Sequence, residues 1–141
     1  MFIEWSSALE TGFPLIDNDH RGIVDIVNRL GALIGTEADT AGSHEIGQIL
    51  CDLTDCVLGH FGHEETLMQS TRYPDFDRHM LSHCQFFAGL TQFIFGFETG
   101  QAGLSREIYE FLADWLIQHE SSEDQAFVTY LIRYHPDAVG A

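Results

Sequence analysis

Apolar residues recur along this chain at alternating spacings of three and four, the repeat that lines one face of an α-helix. The first run is His20, Ile23, Val27, Leu30 and Ile34. A second takes Ile46, Ile49, Leu53, Cys56, His60, His63 and Leu67, with Glu64 one position beside that line. The third holds His79, His83, Phe86, Leu90, Phe93 and Phe97. Leu104, Ile108, Phe111, Trp115 and His119 form the fourth, and Phe127, Val128 and Leu131 continue its apolar character as far as Pro136. Between the runs stand residues that end helices: Gly35 and the small polar stretch to Gly42, then Ser70 to Pro74, then Thr99 to Gly103. Asp17 or Asn18 suits the N-cap of the first helix, and Pro74 the first turn of the third.

Residues 1–16 carry Phe2, Trp5, Leu9, Phe13 and Pro14 without a sustained period and read as an extended arm laid over the core. No alternating segment competes for a strand. The pattern therefore predicts an all-α fold, an up-down-up-down antiparallel four-helix bundle with an N-terminal extended arm. Its helices fall at about 18–35, 43–70, 75–98 and 104–133 in one domain spanning 1–141.

Charge narrows the partners. The net charge of −16 comes from 22 acidic residues against six basic ones, all arginine, which argues against nucleic acid and anionic membrane surfaces. No apolar run is long enough to insert into a membrane, and no basic segment with a following apolar core marks a secretory signal, so a soluble cytoplasmic protein is expected. Cys51, Cys56 and Cys84 are odd in number and lack CxxC spacing; they are expected to be reduced thiols in the core, in keeping with a reducing compartment. Eight histidines form the one compositional oddity that points to a site.

Every predicted helix places at least one histidine in its apolar stripe: His20, His60, His79 with His83, and His119. His60 and Glu64 lie one helical turn apart, as do His79 and His83, so each pair shares a face. One such histidine is ordinarily a hydrogen-bonded core residue; five together suit a metal. Asp124 follows His119 by five positions and joins the set only if the helix is distorted there or the side chain reaches. Imidazole and carboxylate donors without thiolate pairs fit iron, zinc, copper or manganese rather than a structural zinc site. Five imidazoles and two carboxylates exceed one tetrahedral ion and suit two ions bridged by both carboxylates. The ExxH motif of ferritin-like centres is absent from the sequence.

The joint pattern of His20, His60-Phe61-Gly62-His63-Glu64, His79-Met80-Leu81-Ser82-His83 and His119-Glu120-Ser121-Ser122-Glu123-Asp124 resembles the hemerythrin family in its single-domain bacterial form. The resemblance covers nearly the whole chain, including Trp5 in the arm. It implies a non-haem centre of two iron ions with a bridging oxo or hydroxo group, in which Glu64 and Asp124 bridge. His79, His83 and His119 would saturate one iron, while His20 and His60 would hold the other and leave a position open for dioxygen. The family's apolar oxygen pocket maps onto Ile23, Phe61, Trp115, Leu116 and Phe127. The expected function is reversible dioxygen binding for storage, delivery or sensing, a binding protein rather than an enzyme.

One position departs from the family. Glu120 stands directly after the fourth-helix histidine, where an apolar residue usually lines the pocket. Either Glu120 turns away to solvent or an arginine, or it approaches the open position as an extra ligand or proton donor. The second case would suit a peroxidase or oxidase, or a nitric oxide binding protein. His63 is expected at the periphery or behind the ligands, and His44 and His135 have no assigned role. Asp17 could serve His20 from behind or cap its helix; Gly22, Gly59 and Gly62 either allow close helix approach or are simply tolerated.

Overall fold

The computed structural model describes residues 3–40, 42–100 and 106–139, the side chains of residues 106–108, 120, 121 and 139 excepted. Its helices are α1 (Pro14–Gly31), α2 (His44–Ser70), α3 (Phe76–Glu98), α4 (Arg106–Gln118), α5 (Gln125–Tyr134) and the short α6 (Pro136–Val139). Between α4 and α5 the chain keeps coiling through a π turn, His119–Asp124, so these two helices together form the fourth rod of an antiparallel bundle. No strand occurs among the described residues.

The first helix begins and ends earlier than its apolar repeat suggests. Pro14 supplies the fixed φ of the first helical position, so α1 starts there rather than near residue 18, and the arm is correspondingly shorter. Asp17 is not the cap. Its carboxylate instead accepts from Thr11 N at 2.8 Å, Thr11 Oγ1 at 2.8 Å and Gly12 N at 3.0 Å, pinning the arm to the first turn. At the far end the chain tightens into three-residue turns, Leu33 N to Leu30 O and Ile34 N to Gly31 O, before Gly35 reverses it at a φ of 76°. Ile34 thus extends the stripe without extending the α-helix. Pro74 lies in the α2–α3 connection, two residues ahead of α3, and Leu104 lies outside the described residues.

In α2 the buried line runs through Leu53, Val57, His60, Phe61, Glu64 and Met68. That is about one position away from the expected line, and it turns Cys56 and His63 outward while bringing Glu64 to the centre. Cys51, Cys56 and Cys84 are free and exposed, which corrects their assignment to the core. The helical phase explains the difference: a cysteine scores as apolar in a periodicity count, yet each of these sits on the outer side of its helix.

Two apolar clusters flank a polar middle. The larger includes Ile23, Val27, Leu30, Leu53, Phe86, Leu90, Leu112 and Leu116; the smaller gathers Phe13, Ile16, Met68, Tyr73, Phe127, Val128 and Leu131. The arm contributes Ile3 and Leu9 to the first and Phe13 to the second, and Asn28 holds it by exchanging hydrogen bonds with Ile3 N (2.7 Å) and Ile3 O (2.9 Å). His20 stands between Ile16 and Ile23, at the boundary of the two clusters.

Close approach between helices does not occur at Gly22, Gly59 or Gly62, where an added Cβ would meet nothing within 4 Å. It occurs at Gly31, where a Cβ would lie 2.7 and 2.8 Å from two ring atoms of Tyr109. Two alanine substitutions should therefore move stability in opposite directions. Gly59→Ala is expected to stabilise the protein by roughly 1 kcal/mol through helix propensity. Gly31→Ala is expected to destabilise it by about 1–3 kcal/mol through overpacking, both read from urea unfolding.

Candidate metal centre

Five imidazoles and two carboxylates converge in the polar middle of the bundle. His20 comes from α1, His60 and Glu64 from α2, His79 and His83 from α3, and His119 and Asp124 from the two ends of the π turn. In a regular α-helix positions five apart diverge; i→i+5 bonding widens the turn and lets both His119 and Asp124 face inward. All seven are buried, and Glu64 and Asp124 have no exposed surface.

The donor atoms fall into two overlapping sets. Glu64, His79, His83, His119 and Asp124 can bring one atom each within 4.8 Å of one another, and so can His20, His60 and Asp124. Asp124 divides its oxygens between them: Oδ1 lies 2.9 Å from His119 Nε2 and 3.2 Å from His79 Nε2, while Oδ2 lies 2.7 Å from His20 Nε2 and 3.4 Å from His60 Nε2. Glu64 Oε1 stands 3.0 Å from His60 Nε2 and 3.3 to 3.6 Å from the Nε2 atoms of His83, His79 and His119.

Hydrogen bonds account for some of these distances, His20 Nε2 with Asp124 Oδ2 among them, and leave other donor atoms unmatched. Both oxygens of Glu64, Oδ1 of Asp124 and Nε2 of His79 are buried without a hydrogen bond to any described residue. His20 and His60 bring their Nε2 atoms to 3.1 Å of each other, and His83 and His119 do the same at 3.1 Å. The oxygens of Glu64, Oδ1 of Asp124 and Nε2 of His79 are thus left unsatisfied by the described residues, which is the arrangement a bound cation completes. Nitrogen and oxygen donors in these numbers fit iron, manganese, zinc or copper.

Behind the imidazoles stand carboxylates that the periodicity does not reveal. His60 Nδ1 lies 3.1 Å from Asp19 Oδ2, which His63 Nδ1 also reaches at 2.8 Å, and His83 Nδ1 lies 3.1 Å from Glu65 Oε2. Glu123 sits 3.5 Å from His119 Nδ1 and accepts from Ser82 Oγ at 3.0 Å. These acids orient the rings so that Nε2 faces the centre. Their only sequence signal is adjacency, since Asp19, Glu65 and Glu123 each neighbour a residue of the cluster.

Protonation in the metal-free protein follows from this crowding. Burial disfavours the His60 imidazolium, but Glu64, Asp124 and Asp19 outweigh it and hold the His60 pKa well above the ordinary imidazole value. For His119, burial is likewise overcome by Asp124, Glu123 and Glu64, and for His79 more mildly by Asp124 and Glu64; both are raised. His83 is lowered, because burial is reinforced by His119 and His79. Burial and Asp124 push Glu64 upward, yet His60 and His119 hold it well below the carboxylate range. Asp124 is also held well down, with burial overcome by His119, His20 and His60.

Four members of the expected apolar pocket lie together. Ile23, Phe61 and Leu116 are buried in the larger cluster with Trp115 packed against it. Phe61 stacks on His83 with ring centroids 3.7 Å apart, and Trp115 stacks on His119 at 4.5 Å. Phe127 belongs to the smaller cluster instead, 6.5 Å from His79. The Glu120 side chain lies outside the described residues. His63 is half exposed on Asp19, and His135 neighbours Tyr130 on α5, its Nε2 3.4 Å from the phenol oxygen.

A family model, the hemerythrin HHE cation binding domain, matches residues 11–131. The chain is 32% identical over 124 residues to a bacteriohemerythrin of Methylococcus capsulatus, covering 87% of this chain and 92% of that one. A Pseudomonas aeruginosa bacteriohemerythrin is 30% identical over 125 residues, covering 88% and 78%. A hemerythrin of Sipunculus nudus is 26% identical over 120 residues, covering 85% and 86%. A crystal structure of wild-type hemerythrin superposes with a TM-score of 0.83 at 30% identity, over 92% of this chain and 97% of its own.

Two measurements test the cluster as a cation site. Metal must displace protons from His60, His79 and His119, whose raised pKa values keep them protonated above the ordinary value of about 6.5, so loading should release protons and strengthen as pH rises. The same raised histidines stabilise the metal-free protein fully only below about 6.5, a contribution lost as pH climbs through their folded values. Chelation should therefore lower urea stability more at about pH 8 than at about pH 6. Separately, Glu65→Gln should weaken metal binding about 10- to 100-fold in competition titrations while leaving the helical circular dichroism unchanged.

Proposed function

The chain belongs to the hemerythrin family, and from that premise we propose that its buried cluster holds two iron ions with a bridging oxo or hydroxo group and binds dioxygen reversibly. The observation that carries this reading is the division of Asp124, one oxygen towards His79 and His119 and the other towards His20 and His60. A carboxylate placed so is a bridge between two centres. Glu64 is the second bridge; His79, His83 and His119 hold one ion, and His20 and His60 the other. With two imidazoles against three, the His20–His60 side would be where a position stays open to a small ligand.

Iron, when bound, supplies the reversible electron exchange that dioxygen binding requires. The chain supplies the surroundings. Ile23, Phe61 and Leu116 are apolar and buried beside the cluster, so they limit water there, and Trp115 covers the ring face of His119. Asp19, Glu65 and Glu123 hold three of the imidazoles in place. Residues 1–141 read as one hemerythrin-like domain, and three exposed free thiols suit a cytoplasmic setting.

The rival reading, a peroxidase or oxidase or a nitric oxide binder, rests on Glu120, the acidic neighbour of His119 in the sequence. One experiment separates the two. Metal analysis of the purified protein should return about two irons per chain; anaerobic reduction followed by air should then produce visible bands of an oxygen adduct that fade on deoxygenation. Rapid passage to a ferric form, with peroxide consumption that drops in Glu120→Ile, would favour the enzyme. Absence of iron would defeat both.

A further inference from the structure

Of the three carboxylates behind the imidazoles, one is shared. Glu65 serves His83, and Glu123 serves His119 while accepting from Ser82 Oγ. Asp19 differs, because its Oδ2 receives two rings: His60 Nδ1 at 3.1 Å and His63 Nδ1 at 2.8 Å. Burial disfavours the Asp19 charge, but the hydrogen bonds from His60 and His63 outweigh it and hold the carboxyl below its ordinary value. An ionised carboxylate can only accept, so both Nδ1 atoms carry hydrogen. For His60 with a cation bound, that fixes the tautomer whose bare Nε2 faces the centre.

His63 has the shorter of the two contacts and stands furthest out. Its side chain is 48% exposed, against 19% for Asp19 and 1% for His60, so the three form a short line from the surface to the cluster. Asp19 also holds a particular place. It precedes His20 on α1 and bonds to His60 on α2, between the two imidazoles of the His20–His60 side. Among the described residues these two rings are the side chains that hold its carboxylate. Without His63, Asp19 would rest on His60 by a single bond and could turn to solvent through its exposed edge.

We propose that His63 is a positioning residue: by donating to Asp19 it holds that carboxylate against His60, and so sets how firmly the His20–His60 side grips its ion. A carboxylate on the outer N–H makes an imidazole a more basic donor, and its loss commonly weakens metal binding about 10- to 100-fold. His63 acts one bond further out and carries a share of that effect. A surface ion pair that merely decorates the helix would carry none. This role rests on the cluster holding a cation and is independent of the small ligand bound there.

Zinc, which has no redox chemistry, is the probe for competition titrations of the metal-free protein. The weaker of two zinc affinities, expected for the side with two imidazoles, should fall about five- to tenfold in His63→Leu, with helical circular dichroism retained. His63→Asn, whose amide nitrogen can stand where Nδ1 stood, should recover it to within about twofold. In an Asp19→Ala background His63→Leu should change nothing further, because its effect passes through Asp19. In proton NMR of the zinc-loaded protein, the His60 Nδ1–H should resist solvent exchange in the wild type and in His63→Asn, and exchange rapidly in His63→Leu. Wild-type zinc affinity in His63→Leu, an equal loss in the Asp19→Ala background, or no recovery in His63→Asn would overturn the proposal. Failure of the wild-type protein to bind zinc would defeat the cation site itself, and this role with it.

Discussion

Two carboxylates without exposed surface govern this structure. Glu64 and Asp124 lie in the middle of a 141-residue helical protein, where an isolated ion would cost of order several kcal/mol to desolvate. Both remain ionised because imidazoles from all four rods of the bundle close around them. The cost is offset only if every rod is in register, since each rod contributes at least one imidazole. The described residues alone do not finish the task, as both oxygens of Glu64 and Oδ1 of Asp124 find no hydrogen bond among them. Fold and cation site are thus two descriptions of one electrostatic problem.

The apolar clusters on either side give that problem its setting. The larger one rigidifies the end that carries Ile23, Phe61 and Leu116, and the smaller one, with the arm's Phe13, seals the other. Outward from the rings the polarity returns in ordered steps, from imidazole to carboxylate to half-exposed His63 or Ser82. Carboxylates placed behind His60, His83 and His119 orient those rings towards the centre.

Much of this was legible in the residues. Histidines standing in apolar stripes identified the convergent faces, because a stripe that must be buried takes its polar members inside with it. What escaped the repeat has physical causes. The line of α2 passes through Glu64 rather than His63, a shift that no count of apolar positions detects when cysteine and histidine are scored with the core. Proline at position 14 starts α1 by fixing its own φ, a signal carried by one residue and no period. Asp19, Glu65 and Glu123 act across helices or along a distorted turn, so nothing in their spacing announces them. The break between α4 and α5 is similar: the widened turn is a property of where His119 and Asp124 must point, not of the residues between them.

That turn also makes the fourth rod a jointed one. Its two ends are residues of the cation cluster, so a bound ion acts as a latch pin holding both sides of the joint at once. Beyond the joint, α5 carries Phe127, Val128 and Leu131 into the smaller apolar cluster, and Tyr130 donates its hydroxyl to Thr71 O at 2.6 Å. Rewinding the joint by one residue would swing all of these by about 100° around the helix axis. A filled centre would therefore fix the register of α5, tying the packing of the smaller apolar cluster to a few buried donor atoms beside it.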